Sequence, residues 1–100
     1  MKSKIKKSYE ITVSRGLISK NTTMQEFIDK LKEEYSELLI EWGKGVFVED
    51  ISDPFWMEMM DIVGVCFNCM QHHNIDIDQL FDMMNNKNQK KMRSHECQTP

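Results

Sequence analysis

Residues 30–42 read KLKEEYSELLIEW, and residues 55–61 read FWMEMMD. Each segment carries two acids at a spacing of i, i+3, and these are Glu34, Glu37, Glu58 and Asp61. In a helix, this spacing places the two carboxylates side by side on one face. The chain between the two segments is long enough to end one helix, turn and begin an antiparallel helix. The sequence therefore predicts that four carboxylates meet between two helices.

A divalent cation is the expected partner of such a cluster. Carboxylates at close range repel one another strongly unless a positive charge lies among them. Hard cations prefer oxygen ligands, so Mg²⁺ is the predicted occupant, and Mn²⁺ is its expected substitute. The alternative is that the acids of each helix simply face water, as they do on most amphipathic helices. Residues 55–70 are apolar almost all round, which predicts a central helix and favours a site.

Cap residues and apolar periodicity predict four helices and an all-α fold. The predicted helices span about 9–18, 24–42, 54–73 and 77–92, after a frayed start at 1–8 and before a flexible tail at 93–100. The β-branched residues in 9–18 leave helix and strand open locally. A helix is predicted there because the chain offers no second strand for pairing.

Local signals set the expected helix boundaries. Thr23 with Glu26, and Asp76 with Gln79, have the spacing of capping boxes. Asp53 is the predicted N-cap of the third helix, with Pro54 at the first helical position. After that helix, an asparagine at position 74 is predicted to adopt the left-handed conformation.

A chain of 100 residues predicts a single domain over 1–100, with its core in about 9–92. The third helix carries more apolar side chains than three other short helices can cover. We therefore expect a homo-oligomer, either a dimer or a dimer of dimers, in which dimerisation completes the bundle. The interface candidates are Trp56, Met60, Val63 and Phe67.

Composition argues against several function classes. The formal net charge is −3, and the basic segment Lys2–Lys7 is short, so nucleic-acid binding is not expected. No long apolar run exists, so neither a signal peptide nor a membrane span is expected. The chain has three cysteines, an odd number that fits free thiols in a reducing cytoplasm. Cytoplasmic localisation is therefore predicted.

Cysteine and histidine residues form a second, weaker pattern. Cys66-x-x-Cys69 is predicted to be a pair of buried thiols on an apolar helix. The alternative is a zinc site that also uses His72, His73 or Cys97. The two adjacent histidines are otherwise predicted to lie on the surface or in an interface.

Several motifs together resemble one known family. Glu33-Glu34-x-x-Glu37 followed by Glu58-x-x-Asp61 is similar to the signature of MazG-like nucleotide pyrophosphohydrolases, in the all-α NTP pyrophosphatase superfamily. The segment 38–42 resembles the dCTP pyrophosphatase branch. Further similar segments are Ser14–Leu17 of short phage-type members, Asn74–Ile77 and Lys87-Asn88-x-x-Lys91.

The resemblance implies an activity and assigns roles to residues. Members of that family use Mg²⁺ to cleave a nucleoside triphosphate to the monophosphate and pyrophosphate. In these proteins, helices from two chains build each site. It implies metal ligands at Glu34, Glu37, Glu58 and Asp61, with Glu33 as an auxiliary acid. It also implies phosphate contacts at Lys87, Asn88 and Lys91, and a base pocket at Trp42 and Asn68. The expected role is house-cleaning or control of the nucleotide pool.

Other functions remain open at this point. One is a non-catalytic helical oligomer that binds nucleotide or metal. Another is a purely structural or interaction protein whose acids face solvent. A di-iron bundle would need Glu-x-x-His pairs, and neither acidic pair ends in histidine.

Overall fold

The computed structural model describes residues 2–98, and it describes side chains for residues 2–92. Within that range the chain forms no strand and four helices, which are α1 (Lys2–Ser14), α2 (Met24–Gly43), α3 (Pro54–His72) and α4 (Ile77–Gln98). The predicted all-α fold with about four helices is confirmed. None of the described helices combines the length and the apolar character that crossing a bilayer requires.

The third helix is the centre of the fold, as its apolar sequence predicts. It packs against each of the other three helices. At the C-terminal end of α3, the ring of His72 lies 5.2 Å from that of Phe27 on α2. At the opposite end, the ring of Phe55 lies 6.0 Å from that of Trp42. The second and third helices are therefore antiparallel, which is the arrangement that brings their acidic pairs together.

The local cap signals operate as predicted. The Thr23 hydroxyl accepts a hydrogen bond from the Glu26 amide at 3.2 Å, and Asp76 accepts one from the Gln79 amide at 3.1 Å. The reciprocal side-chain bonds of the two predicted capping boxes are absent from the described residues, so only the N-cap half of each box is confirmed. The Asp53 carboxylate accepts from the Phe55 amide at 3.0 Å. Asn74 has φ 56, so the left-handed residue that ends α3 is also confirmed.

The first helix differs from its prediction at both ends. Within the described residues it begins at Lys2, so the predicted frayed start is wrong for residues 2–8. The physical reason is tertiary: Ile5 is buried in the core, and Lys2 pairs with Asp78 of α4 at 3.5 Å. The helix ends at Ser14 rather than at residue 18, because Gly16 adopts φ 75 and reverses the chain.

The fourth helix extends to Gln98, beyond its predicted end at Met92. This helix therefore occupies much of the segment predicted as a tail. The flexibility of that segment stays a prediction, and the last two residues lie outside the described range.

A single chain leaves much of its apolar surface open. Its radius of gyration is 17.0 Å, whereas a compact domain of this length has about 13 Å. Its accessible surface is 8115 Å², whereas a folded monomer of this mass exposes about 6,000 Å². Among the described side chains, the buried apolar residues are Ile5, Ile18, Phe27 and Ile77, and none is completely inaccessible. The excess surface is the size of a substantial protein interface.

Candidate metal centre

Three glutamates converge between α2 and α3. Glu34 and Glu37 lie on one face of α2, one turn apart, and Glu58 faces them from the antiparallel α3. Each contributes one carboxylate oxygen to a group whose members all lie within 4.8 Å of one another. Three oxygens 4.8 Å apart lie about 2.8 Å from their common centre, so each would move inward by about 0.2–0.8 Å to reach the 2.0–2.6 Å at which hard cations hold oxygen ligands. The geometry therefore suits a hard divalent cation.

Two oxygens of this cluster are buried and have no hydrogen-bond partner. They are Oε2 of Glu34 and Oε2 of Glu58. Glu34 is only 7% exposed, which is unusual for a glutamate. A buried carboxylate oxygen without a partner costs free energy, because it has lost its water and gained nothing in exchange. A bound cation would satisfy both oxygens.

Two of the acidic residues at this site have raised pKa values. The pKa of Glu37 is raised, first by the negative charge of Glu34, then by partial desolvation and by the charge of Glu58. The pKa of Asp61 is raised mainly by partial desolvation of its carboxylate, although the residue as a whole is exposed, and then by the charge of Glu34, while Lys30 opposes this shift. The shift of Glu37 therefore reflects mainly repulsion between carboxylates, whereas that of Asp61 reflects mainly desolvation.

Lys30 supplies the positive charge next to the cluster. Its ammonium group lies 3.1 Å from Oε1 of Glu34 and 3.4 Å from Oε2 of Glu33. The pKa of Lys30 is raised, chiefly by its hydrogen bond to Glu34. Among side chains 2–92, no other basic group forms an ion pair with these acids. This ion pair was not predicted from the sequence, although the i, i+4 spacing of Lys30 and Glu34 permits it.

A pocket of about 270 Å³ adjoins the acidic cluster. It lies between α2, α3, the end of α1 and the loop that follows α1. Its wall includes Thr12, Ile18, Phe27, Lys30, Val65 and Asn68. Asn68 donates to the Thr12 hydroxyl at 3.4 Å, while its own Oδ1 is buried without a partner. Lys30 lines the pocket and forms an ion pair with Glu34, so this one side chain connects the pocket to the cluster.

The fourth predicted ligand, Asp61, and the predicted auxiliary acid, Glu33, are not among the three converging glutamates. Asp61 follows Glu58 by one turn of α3 and is exposed. The charge of Glu34 contributes to its raised pKa, so the two carboxylates are close to one another. Glu33 is exposed and pairs with Lys30. The structure therefore brings together three of the four predicted ligands and places the fourth next to them.

The two residues assigned to a base pocket lie far apart within one chain. Asn68 is in the pocket, whereas Trp42 is 63% exposed at the end of α2, against Phe55. The separation of Phe55 and Asn68 along α3 is about 20 Å at 1.5 Å per residue. One chain cannot bring Trp42 and Asn68 to the same base.

The predicted phosphate contacts also lie away from the acids. Lys87, Asn88 and Lys91 are exposed on α4. This helix packs against α3 near the Phe67 and Phe81 rings, which are 6.4 Å apart. Within the described side chains, no hydrogen bond or ion pair joins these three residues to the cluster.

The cysteines and histidines near the end of α3 form a separate group. Cys66 and Cys69 are free thiols and are half-buried rather than fully buried. The zinc alternative stays untested, because the Cys97 side chain lies outside the described range. His73 is exposed, as predicted. His72 is half-buried and makes two hydrogen bonds within the chain, so it does not lie on an open surface, and the predicted interface alternative stays a prediction.

Comparison of the chain with protein-family models, with curated proteins and with solved structures finds no match.

Proposed function

We propose that this protein is a Mg²⁺-dependent nucleoside triphosphate pyrophosphohydrolase that converts a (d)NTP and water to the (d)NMP and pyrophosphate. One observation carries the proposal: Glu34, Glu37 and Glu58 converge within 4.8 Å, and two of their buried oxygens lack partners. The motif order that resembles MazG-like enzymes supports the same reaction. Free thiols at Cys66 and Cys69 fit a cytoplasmic enzyme that controls or cleans the nucleotide pool.

The chain's own residues suit this chemistry. Mg²⁺ in the cluster would neutralise phosphate charge and activate a water molecule. The three glutamates would hold the ion, and Asp61, one turn after Glu58 on α3, would be a fourth ligand. A carboxylate that is not engaged by the ion, such as that of Glu33, accepts the water's proton. Cleavage of the anhydride bond between the α- and β-phosphates then releases pyrophosphate.

The proposal includes a second copy of the chain. The excess accessible surface is about 2,000 Å² per chain, or about 4,000 Å² for two chains, which is in the range that obligate homodimer interfaces bury. On α3, Met60 is 58% exposed and Val63 is 36% exposed, so two of the predicted interface residues are free in one chain. A dimer would also allow Lys87, Asn88 and Lys91 of one chain to reach the acids of the other. Phe67 already packs on Phe81 within the chain and is a weaker interface candidate.

Pyrophosphate release tests this proposal directly. Purified protein is incubated with a panel of canonical and damaged (d)NTPs and Mg²⁺, and monophosphate and pyrophosphate are quantified. We expect equal amounts of both products, loss of activity with a chelator, and recovery with Mg²⁺ or Mn²⁺. Glu58→Gln should be inactive, whereas Glu49→Gln, in an exposed loop, serves as the matched control.

Two outcomes would contradict the proposal in different ways. Metal binding without turnover on any nucleotide would favour the non-catalytic helical oligomer. A chain that binds neither Mg²⁺ nor Mn²⁺ would favour a structural protein whose acids have no ligand.

A further inference from the structure

Lys30 occupies the boundary between the acidic cluster and the pocket. Its ammonium group is 3.1 Å from Glu34 on the cluster side, and its side chain forms part of the pocket wall on the other side. The side chain is 51% exposed, so it is free to change rotamer. A lysine also has a long flexible stem and a compact charge. The ammonium group can therefore pair either with Glu34 or with a ligand in the pocket.

Lys30 compensates the negative charge of Glu34 only while no metal ion is bound to the cluster. Glu34 is 7% exposed, with one oxygen paired to Lys30 and the other without a partner. An ion bound by Glu34, Glu37 and Glu58 would place a double positive charge against the carboxylate that now holds Lys30. The two cations would repel one another across a few ångströms. Metal binding would therefore weaken the ion pair between Glu34 and Lys30.

A phosphate group bound in the pocket would be a second partner for Lys30. Glu26 also lies on the pocket wall, and its negative charge would repel an anionic ligand. A lysine ammonium turned into the pocket would lie between Glu26 and a phosphate and offset that repulsion. Triphosphates are the anions that accompany Mg²⁺ under the proposed function.

We propose that Lys30 is an exchangeable counter-ion that pairs with Glu34 in the metal-free protein and turns to a substrate phosphate when the metal binds. This inference rests on the proposed function. Lys30 then couples the two ligands: metal frees the lysine, and the freed lysine binds nucleotide. By linkage, the nucleotide must also tighten metal binding by the same factor. Lys30 is a ligand-binding and coupling residue in this role, and it opposes metal binding until nucleotide is present.

Binding measurements, kept separate from turnover, test the exchange. Mn²⁺ is titrated calorimetrically into the full chain without nucleotide, and then with a non-hydrolysable α,β-methylene triphosphate. For Lys30→Met we expect Mn²⁺ alone to bind roughly 5-fold tighter or more, because its competitor is gone. The analogue should bind the Mn²⁺-loaded variant roughly 10-fold more weakly or worse, because a charged phosphate contact is lost.

A second variant should change the Mn²⁺ affinity in the opposite direction. Lys30→Arg keeps the charge and pairs with a carboxylate through two parallel hydrogen bonds, so it should hold Glu34 more firmly. We expect Mn²⁺ alone to bind this variant more weakly than wild type. The arginine variant also keeps the inference testable if Lys30→Met does not fold without metal. Lys32→Met, exposed on the same helix, is the matched control and should change neither affinity.

The inference fails if Lys30→Met leaves Mn²⁺ affinity or analogue affinity at the wild-type value. It also fails if arginine and methionine shift Mn²⁺ affinity in the same direction. A wild-type chain that binds Mn²⁺ and analogue but releases no pyrophosphate would overturn the proposed activity alone. In that case the exchange is still judged by the two affinities.

Discussion

The phenolic oxygen of Tyr9 lies 2.9 Å from Nδ1 of His72, and this contact joins α1 to the end of α3. The other ring nitrogen of His72 lies 3.2 Å from the Thr22 carbonyl oxygen, to which it must donate. Nδ1 of the neutral ring is then the acceptor for the Tyr9 hydroxyl. One imidazole therefore fixes three segments that surround the pocket. This arrangement holds the loop after α1 against the helices that carry the acids.

Removing the Tyr9 hydroxyl should destabilise the fold. Tyr9→Phe keeps the ring and deletes the donor to His72, so we expect a loss of about 0.5–1.5 kcal/mol in the free energy of unfolding. Urea denaturation measures this loss. Tyr35→Phe is the control, because Tyr35 is 55% exposed. Equal midpoints for the two variants would show that the Tyr9–His72 hydrogen bond contributes nothing to stability.

Mg²⁺ should raise the melting temperature of the protein. A ligand that binds only the native state stabilises it by a free energy that grows with the logarithm of its concentration once that exceeds the dissociation constant. Removing one ligand with Glu58→Gln should abolish most of the increase, whereas Glu49→Gln should retain it. Thermal denaturation with and without millimolar Mg²⁺ measures the effect. An unmoved wild-type curve would argue that the acids bind no ion.

Asp61 should be essential for activity although it lies beside the three converging glutamates. Asp61→Asn keeps the shape of the side chain and removes its charge. We expect turnover to fall on the order of 10²-fold or more with the helical content unchanged. Pyrophosphate release and circular dichroism are the two measurements. Near wild-type turnover would restrict the metal ligands to Glu34, Glu37 and Glu58.

The metal-free protein should lose stability as pH rises above the ordinary range of a glutamate. The pKa of Glu37 is raised above its usual value of 4.5 by Glu34, so between the unfolded and folded pKa the native state binds more protons. The free energy of unfolding therefore decreases as pH rises through that window. Melting temperatures in chelator from pH 4 upward should show a fall that Glu37→Gln reduces.

The comparison of wild type with Glu37→Gln isolates this group from other acids. Asp50 shifts the other way, because Ser52 donates two hydrogen bonds to it and lowers its pKa. Its contribution is lost as pH falls, and it is common to both proteins. A wild-type melting temperature that rises relative to the variant across the window would contradict the clustering of Glu34 and Glu37.

Polar substitution on the open face of α3 should separate the proposed dimer. The double variant Met60→Asn with Val63→Asn removes apolar area from exposed positions without adding charge near the acids. We expect a monomer of low activity, because residues from the second chain no longer complete the site. Light scattering at micromolar concentration measures the mass. Ile51→Asn, at a loop residue that is 91% exposed, is the control. A fully active wild-type monomer would show the two-chain site to be wrong.

The sequence by itself determined the features that depend on neighbouring residues along the chain. Thr23, Asp53 and Asp76 begin helices because their side chains reach amides only two or three positions ahead. The two acidic pairs could be predicted because helical geometry places i and i+3 on one face. Their meeting could be predicted because an apolar α3 had to lie centrally.

Tertiary structure alone decided the features that depend on distant residues. The start of α1 at Lys2 could not be predicted, because its lysine-rich sequence shows no strong periodicity and its order comes from burying Ile5. The pocket and the role of His72 arise from a loop folded back on α3, at contacts separated by tens of residues. The separation of Trp42 from Asn68 follows from the length of α3. A local pattern shows which face of a helix is apolar, but the packing of whole elements decides which other residues that face meets.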